Sequence, residues 1–447
     1  MKRLLIVPIV SLLVGGHAVA TPPSGVSGTD IISEASIRGH MEFLASDAMN
    51  GRGSGTRDEW IAATYIGAEM RRWGVEPLGD AGGYVQRVET PRLQSTTPPA
   101  LVVPGARFTT GKEMTVQTLS QGASSGPLHR YVAGAAAPAG AFVVVPEGAA
   151  PQPAEIAGAA GVITAQGAPQ SGRGARGGGQ GPTAPQWRVA LTKDAYDNVH
   201  AMADGTTVSI DADVKPGSTW NAIGRLTGSD PSMASEVILL TAHLDHLGVR
   251  GSGPDTIYNG ADDDASGTTA VLEMAEAIAK GKRPKRTVIF AWFGSEEVGG
   301  FGARHFLDQP PTPLDHIVAN LEFEMIGRPD QMVPAHTLWL TGYERSNLGP
   351  TLAKQGARLV QDPHPEQNFF ARSDNIQLAR RGVVAQTVSS FGLHKDYHQP
   401  SDEISRIDFA HMTEAIQSMF APVMWLTNST FKPSWLPGQC PAPCGGG

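Results

Sequence analysis

From Trp220 onward the chain alternates short apolar runs with helical patterns, and this alternation constrains its fold more than any other feature. The runs "EVILLTAHLD", "RTVIFAWFG", "HIVANLEFEM", "HTLWLTGY" and "GVVAQTVSS" read as strands, while "GTTAVLEMAEAIAKG" and "AHMTEAIQSMFAPVMWL" carry helical spacing. Together they predict an α/β fold: a mixed central β-sheet flanked by helices on both faces. Ligands of such sheets gather beyond the carboxyl ends of the strands. His243, Glu296, Glu297, Glu324 and His398 all stand at or just past such ends.

Two further helices are expected upstream, "ISEASIRGHMEFLASD" and "TRDEWIAATYIGAEMRRWG", the second opened by a capping box of Thr56 with Glu59 and stopped at Gly74. Between them and the alternating region, residues 91–215 change texture to β-like pieces such as "GAFVVVPEG" and "AAGVITAQG" around the Gly-rich loop "PQSGRGARGGGQGPTAPQ". The expected organisation is therefore one main domain in two parts at 28–90 and 216–435, an inserted β-rich domain at 91–215, and a flexible tail at 436–447. Residues 1–20 read as a secretory signal: Lys2 and Arg3, an apolar run from Leu4 to Val14, then Ala18 and Ala20 before the cut. That run is short of the roughly 20 residues of a spanning helix, so no stable membrane insertion is expected after cleavage, and the location is periplasmic or secreted.

The net charge of −8, without clustered Lys and Arg, argues against a nucleic-acid partner. Cys440 and Cys444 are the only cysteines and both lie in the tail, so a metal site must draw on His, Asp and Glu.

Several short motifs supply such groups. In "TAHLDHLG", His243 and Asp245 are two apart and share one side of a strand, as for a metal-bound imidazole steered by a carboxylate or for a surface pair. "FGSEEVGG" sets Glu296 and Glu297 past a strand, one suited to ligation and one to proton transfer, or both to a helix start. "NLEFEMIG" brings Glu322 and Glu324, and "HKDYHQPSDE" brings His394, His398 and Asp402. The run "YNGADDDASG" also matches a calcium-loop template, with Asp262, Asp264, Ser266, Gly267 and Glu273 at positions 1, 3, 5, 6 and 12. A calcium loop needs an entering helix, and the residues before this one are Gly- and Pro-rich.

Taken in order, "AHLDH", "NGADDDASG", "GSEEVGGFGA", "LEFEMIG" and "YHQPSD" resemble the metal-binding motifs of the M28 family of co-catalytic zinc peptidases, the aminopeptidase Y or bacterial leucyl-type aminopeptidase group. "FLASDAMNGRGSGTRDEWIAATYI" is similar to the N-terminal part of these enzymes, and the insert resembles a protease-associated domain. The resemblance implies a zinc exopeptidase-like fold and two zinc ions (Zn2+) per chain. One ion would be held by His243 and Glu324, the other by Glu297 and His398, with Asp263 bridging and a cis peptide after it. Glu296 would be the general base for a water shared by the ions. Asp occupies the place of Glu324 in the commonest form of the motif, and Phe370 stands where some relatives carry a Tyr, which makes Tyr397 the candidate substitute. Asp245 and Asp402 are expected to orient His243 and His398, Asp374 to line the pocket, and Asp262 and Asp264 to hydrogen-bond the loop that holds Asp263.

The implied activity is removal of N-terminal residues from peptides. The alternatives are a carboxypeptidase or glutaminyl cyclase-like relative, or a non-catalytic binding module on the same scaffold.

Overall fold

The computed structural model describes residues 28–167, 187–250 and 253–441. The signal segment, the Gly-rich loop from Pro169 to Gln186, and Cys444 with the end of the tail lie outside the described residues. The chain divides into two compact units, Arg87–Trp220 and the remainder.

In the larger unit the strands run in the order Glu76–Pro77, Val214–Leu226, Thr287–Phe293, Val237–His243, Ile317–Phe323, Ala385–Ser389, Leu338–Leu340, Leu359–Gln361. From Thr287–Phe293 to Ala385–Ser389 all neighbours are parallel. Val214–Leu226 and Leu338–Leu340 join them antiparallel, so the sheet is mixed, as expected. Val237–His243 and Thr287–Phe293 are buried along their whole length, which explains why their sequences are continuous apolar runs without an alternating polar face.

Helices cover both faces. Trp292 points to one, where its Nε1 donates to the carbonyl of Thr268 in the Gly267–Lys280 helix. Phe293 points to the other and packs edge-on against Phe306 of the Phe301–Asp308 helix, in a core shared with Leu239, Ile289 and Leu378. Truncating an aromatic side chain buried like Phe306 costs about 3–5 kcal/mol, so this layer is a large part of what fixes the strands. Glu34–Leu44 and Phe409–Asn428 both pack on Gly267–Lys280.

The Arg57–Arg72 helix starts as its sequence foretells, with Thr56 Oγ1 accepting from the amides of Asp58 and Glu59. The returning arm of the capping box differs. The Thr56 amide is taken by the Gly53 carbonyl, so the Glu59 carboxylate accepts from Gly55 instead and, with its other oxygen, from the amide of Ser295. A helix cap thereby also secures the turn that carries Glu296.

The smaller unit has a sheet in the order Ala106–Thr109, Ala100–Val103, Thr207–Asp211, Ser125–Arg130, Phe142–Val144, Gly161–Ala165, Trp187–Leu191, Met114–Thr118. Its strands from Ser125–Arg130 to Trp187–Leu191 are parallel. The Lys193–His200 helix closes a core of its own through Ala195, Tyr196 and Val199 against Phe142, Ile163 and Trp187. Among the described residues no helix is long and apolar enough to cross a membrane.

Candidate metal centre

The parallel strands deliver their polar residues to one edge of the sheet. His243 is the last residue of its strand, Glu324 follows Phe323 directly, and Glu296 and Glu297 lie in the turn after Phe293. His398 comes from the loop after Ala385–Ser389. Asp263 stands among them and faces two ways. Its Oδ1 is 3.3 Å from His243 Nε2, and its Oδ2 is 3.1 Å from His398 Nε2. Glu324 Oε1 is 3.9 Å from His243 Nε2, and Glu297 Oε2 is 3.2 Å from His398 Nε2. Two donor triads of metal-site compactness result, His243–Asp263–Glu324 and His246–Asp263–Glu297, which share Asp263.

The loop that carries Asp263 is held at many points. Asp262 accepts from the Gly327 amide and from His394, and Asp264 accepts from the amides of Met325 and Gly267. Asp262 and Asp264 thus clamp the loop to the segment after Glu324. The Asp263–Asp264 peptide is cis. Ser295, Met325 and His398, each a site residue or next to one, have left-handed backbones with φ of 59°, 51° and 56°.

Arg52 closes the loop from behind. It is buried, and its guanidinium donates to the carbonyls of Leu44, Leu244, Asn259 and Gly260. It therefore ties the N-terminal segment to both the His243 and the Asp263 loops.

Three expected roles turn out differently. The Asp245 carboxylate stays 3.8 Å from His243 Nδ1, beyond hydrogen-bond range; the Asp245 backbone carbonyl, at 3.1 Å, fixes that ring instead. The carboxylate binds Ser54 and the Glu296 amide, because the strand ends at His243 and alternation no longer governs Asp245. Asp402 accepts from the amides of Asp262 and Asp263 and so orients the bridging loop instead of His398. Asp374 is buried against Gln377 and is not among the residues lining the cavity beside Glu324. Phe370 is likewise turned away into the core under Arg345. Tyr397 does line that cavity, with Met325, Trp339, Phe369 and Phe391, and its ring stacks on His398 at 3.9 Å.

The calcium-loop alternative fails on geometry. Glu273, its twelfth position, sits against His40 of the Glu34–Leu44 helix, at 3.7 Å. No helix enters the loop; Ile257–Tyr258, an extended pair, precedes it.

The site is short of positive charge. Burial pushes Asp264 and Glu296 well above their ordinary values and Glu324 up to about 7, with neighbouring carboxylates adding to the effect. His243 Nε2, both ring nitrogens of His246 and Glu297 Oε1 are buried without hydrogen-bond partners among the described residues. Imidazole nitrogens and carboxylate oxygens left unpaired and converging are what a zinc ion requires, so these residues fit the metal that the motifs imply. His246 was not singled out as a ligand from the sequence, although "AHLDH" contains it; past a strand end, spacing does not show where a side chain points. Arg52, at the end of the short helical turn Asp47–Arg52, was not singled out either, because its partners are backbone carbonyls of distant segments.

Residues 221–423 match the model of Peptidase family M28. Leupeptin-inactivating enzyme 1 of Streptomyces exfoliatus is 32% identical over 143 residues, 31% of this chain and 30% of that protein. An aminopeptidase of Pseudomonas aeruginosa is 34% identical over 140 residues, 30% of this chain and 24% of that protein. The chain thus spans less than a third of the length of these two curated relatives. In fold it is similar to a zinc aminopeptidase from Bacillus subtilis (TM-score 0.58, 19% identity, 89% of this chain and 96% of the other). An aminopeptidase from Aneurinibacillus sp. strain AM-1 is also similar (TM-score 0.54, 19% identity, 90% and 95%). The strand-end site and the motifs that form it all lie within residues 221–423, the segment that matches Peptidase family M28.

Proposed function

We propose that this protein is a co-catalytic di-zinc aminopeptidase that removes N-terminal residues from peptides. The observation that carries this reading is the sharing of Asp263 between two donor triads, with Glu296 in the adjoining turn. The names of the curated relatives, an aminopeptidase and a leupeptin-inactivating enzyme, support a peptide substrate.

His243, Asp263 and Glu324 would hold one ion, and Asp263, Glu297 and His398 the other. When bound, the zinc pair supplies Lewis-acid polarisation of the peptide carbonyl and lowers the pKa of water toward about 7. Glu296 takes the proton of the attacking water and passes it to the departing amine nitrogen, so one carboxyl acts as base and then as acid. The Asp245 carboxylate holds the Glu296 amide at 3.0 Å, and Glu59 holds that of Ser295, so the base sits on a fixed turn. Burial, with Asp263, Glu297 and Glu324 adding to it, pushes the Tyr397 phenol upward, so it keeps its proton at neutral pH and is available to donate to the developing oxyanion. The aromatic walls of the cavity beside Glu324 suit an apolar side chain on the residue removed.

Lys2, Arg3 and the apolar run that follows support export to the periplasm or the medium. Sequencing the secreted protein should find Thr21 at its start.

The test is elemental analysis combined with hydrolysis of aminoacyl anilides. Two zinc ions per chain, chelator-sensitive activity and no cleavage of N-blocked peptides are expected. A folded protein that binds no transition metal would sink the reading. Cleavage confined to free C-termini would select the carboxypeptidase alternative, and cyclisation of N-terminal glutamine the cyclase.

A further inference from the structure

We infer that His246 is a direct ligand of the second zinc ion, which makes the two ions unequal: the His246–Asp263–Glu297–His398 side is closed by protein donors, whereas the His243–Asp263–Glu324 side keeps coordination positions open. The inference rests on the di-zinc reading above and deepens it.

His246 is fully buried, and neither of its ring nitrogens has a hydrogen-bond partner among the described residues. Other buried histidines behave differently. His364 Nε2 meets Asp330 at 2.8 Å, His40 Nδ1 meets the Tyr65 hydroxyl at 2.7 Å, and His411 Nε2 meets Ser390 Oγ at 3.0 Å. A buried imidazole with both nitrogens unmet is costly unless a ligand is missing.

Its surroundings indicate which ligand. His246 Nδ1 lies 2.8 Å from Glu297 Oε1 and 3.8 Å from Asp263 Oδ2, and the Glu297 contact lacks hydrogen-bond alignment. Donors that share one tetrahedral ion, each bonded at about 2.0–2.1 Å, stand about 3.3 Å apart and need not point at one another. His398 Nε2 completes the set, at 3.1 Å and 3.2 Å from the same two carboxylates.

The ring is also held in place. The His246 amide donates to the Arg52 carbonyl, and its carbonyl accepts from Ser54. Gly260 has a left-handed backbone with φ of 59°, and a Cβ there would come within 2.5 Å of the ring. The loop therefore leaves room for the imidazole beside Glu297.

Four protein donors make a closed tetrahedral site, while three leave a position for substrate or water. The open side is also the one whose carboxylate, Glu324, borders the aromatic cavity.

The test is the crystal structure of the zinc-loaded full chain, with anomalous maps at the zinc edge, followed by graded chelation. A peak about 2.0–2.1 Å from His246 Nδ1 that outlasts its neighbour supports the inference. In His246→Ala the affinity of that ion should fall by more than about 100-fold, beyond the about 10–100-fold lost when a residue merely orients a ligand. Two zinc ions bound away from His246, or an unchanged order of release in the variant, would overturn the inference and leave the aminopeptidase reading standing. Absence of bound zinc would overturn both.

Discussion

Two groups of buried acids in the larger unit meet the same difficulty in opposite ways. At the strand ends, Asp263, Glu297 and Glu324 converge with imidazoles whose nitrogens are unpaired. In the helical layer, Glu273 faces His40, whose Nδ1 is already engaged by Tyr65, with Glu276 and Lys280 of its own helix nearby. Burial pushes Glu273 up to about 8, and it lowers His40, so this pair settles by keeping both groups neutral. The strand-end group instead brings its carboxyls together with unpaired imidazole nitrogens, a donor set that suits a bound cation. Convergence of donors, more than burial of acids, is what marks a metal site.

The sharpest way to break this contrast is Asp263→Asn. It removes the carboxylate shared by both triads, so both ions should weaken together and activity fall to background, read as zinc content after dialysis. Two tight zinc ions in that variant would mean the wrong aspartate has been chosen as the bridge.

Glu296→Gln comes next. It should lower kcat by about 10²–10⁴ with zinc content intact, because it removes the proton carrier and no ligand. Comparable losses of zinc and rate would show that Glu296 is itself a ligand.

Arg52→Met probes the fixed cation behind the Asp loop. Stability should fall by about 3–5 kcal/mol, the usual cost of removing a buried charged partner, measured by urea unfolding. A loss below about 1 kcal/mol would mean that the backbone carbonyls find water instead.

A gradual, pH-dependent effect belongs to the other member of the comparison. The carboxyl of Glu273 titrates near 8 in the folded chain against its ordinary value of 4.5, so between those values the folded state holds a proton that the unfolded state has released. Its contribution is therefore favourable at low pH and is lost as pH rises through this window, with a slope of at most about 1.4 kcal/mol per unit. Glu273→Gln should flatten that decline, and chelator should leave the difference unchanged. Identical stability profiles for the variant and the parent would refute the proton-based account of this pair.

Legibility followed the strands. His243 and Glu324 were readable because the end of an apolar run marks where a side chain leaves the core, and the same runs foretold the sheet. Asp245 shows the limit: two residues from His243 implies a shared side only while the strand lasts, and it ends at His243. Asp402 and His246 lie in irregular backbone, where spacing carries no direction. The cavity could not be seen either, since Met325, Trp339, Phe369, Phe391 and Tyr397 come from separate loops and strands. The calcium template erred by treating residues 262–273 as one loop, although Gly267 already begins a helix.

The left-handed backbone at His398 bears on how such a site can drift. Most side chains are disfavoured at its φ of 56°, and β-branched ones most of all, while His, Asn and Asp are enriched there. The local chain conformation thus filters substitutions before metal chemistry does. The exchanges that satisfy both filters are with Asp, which offers an oxygen donor, or with Asn, which offers a weaker one. A mutational library at this position should return those residues ahead of Cys or Glu, even though both of the latter are good zinc ligands elsewhere.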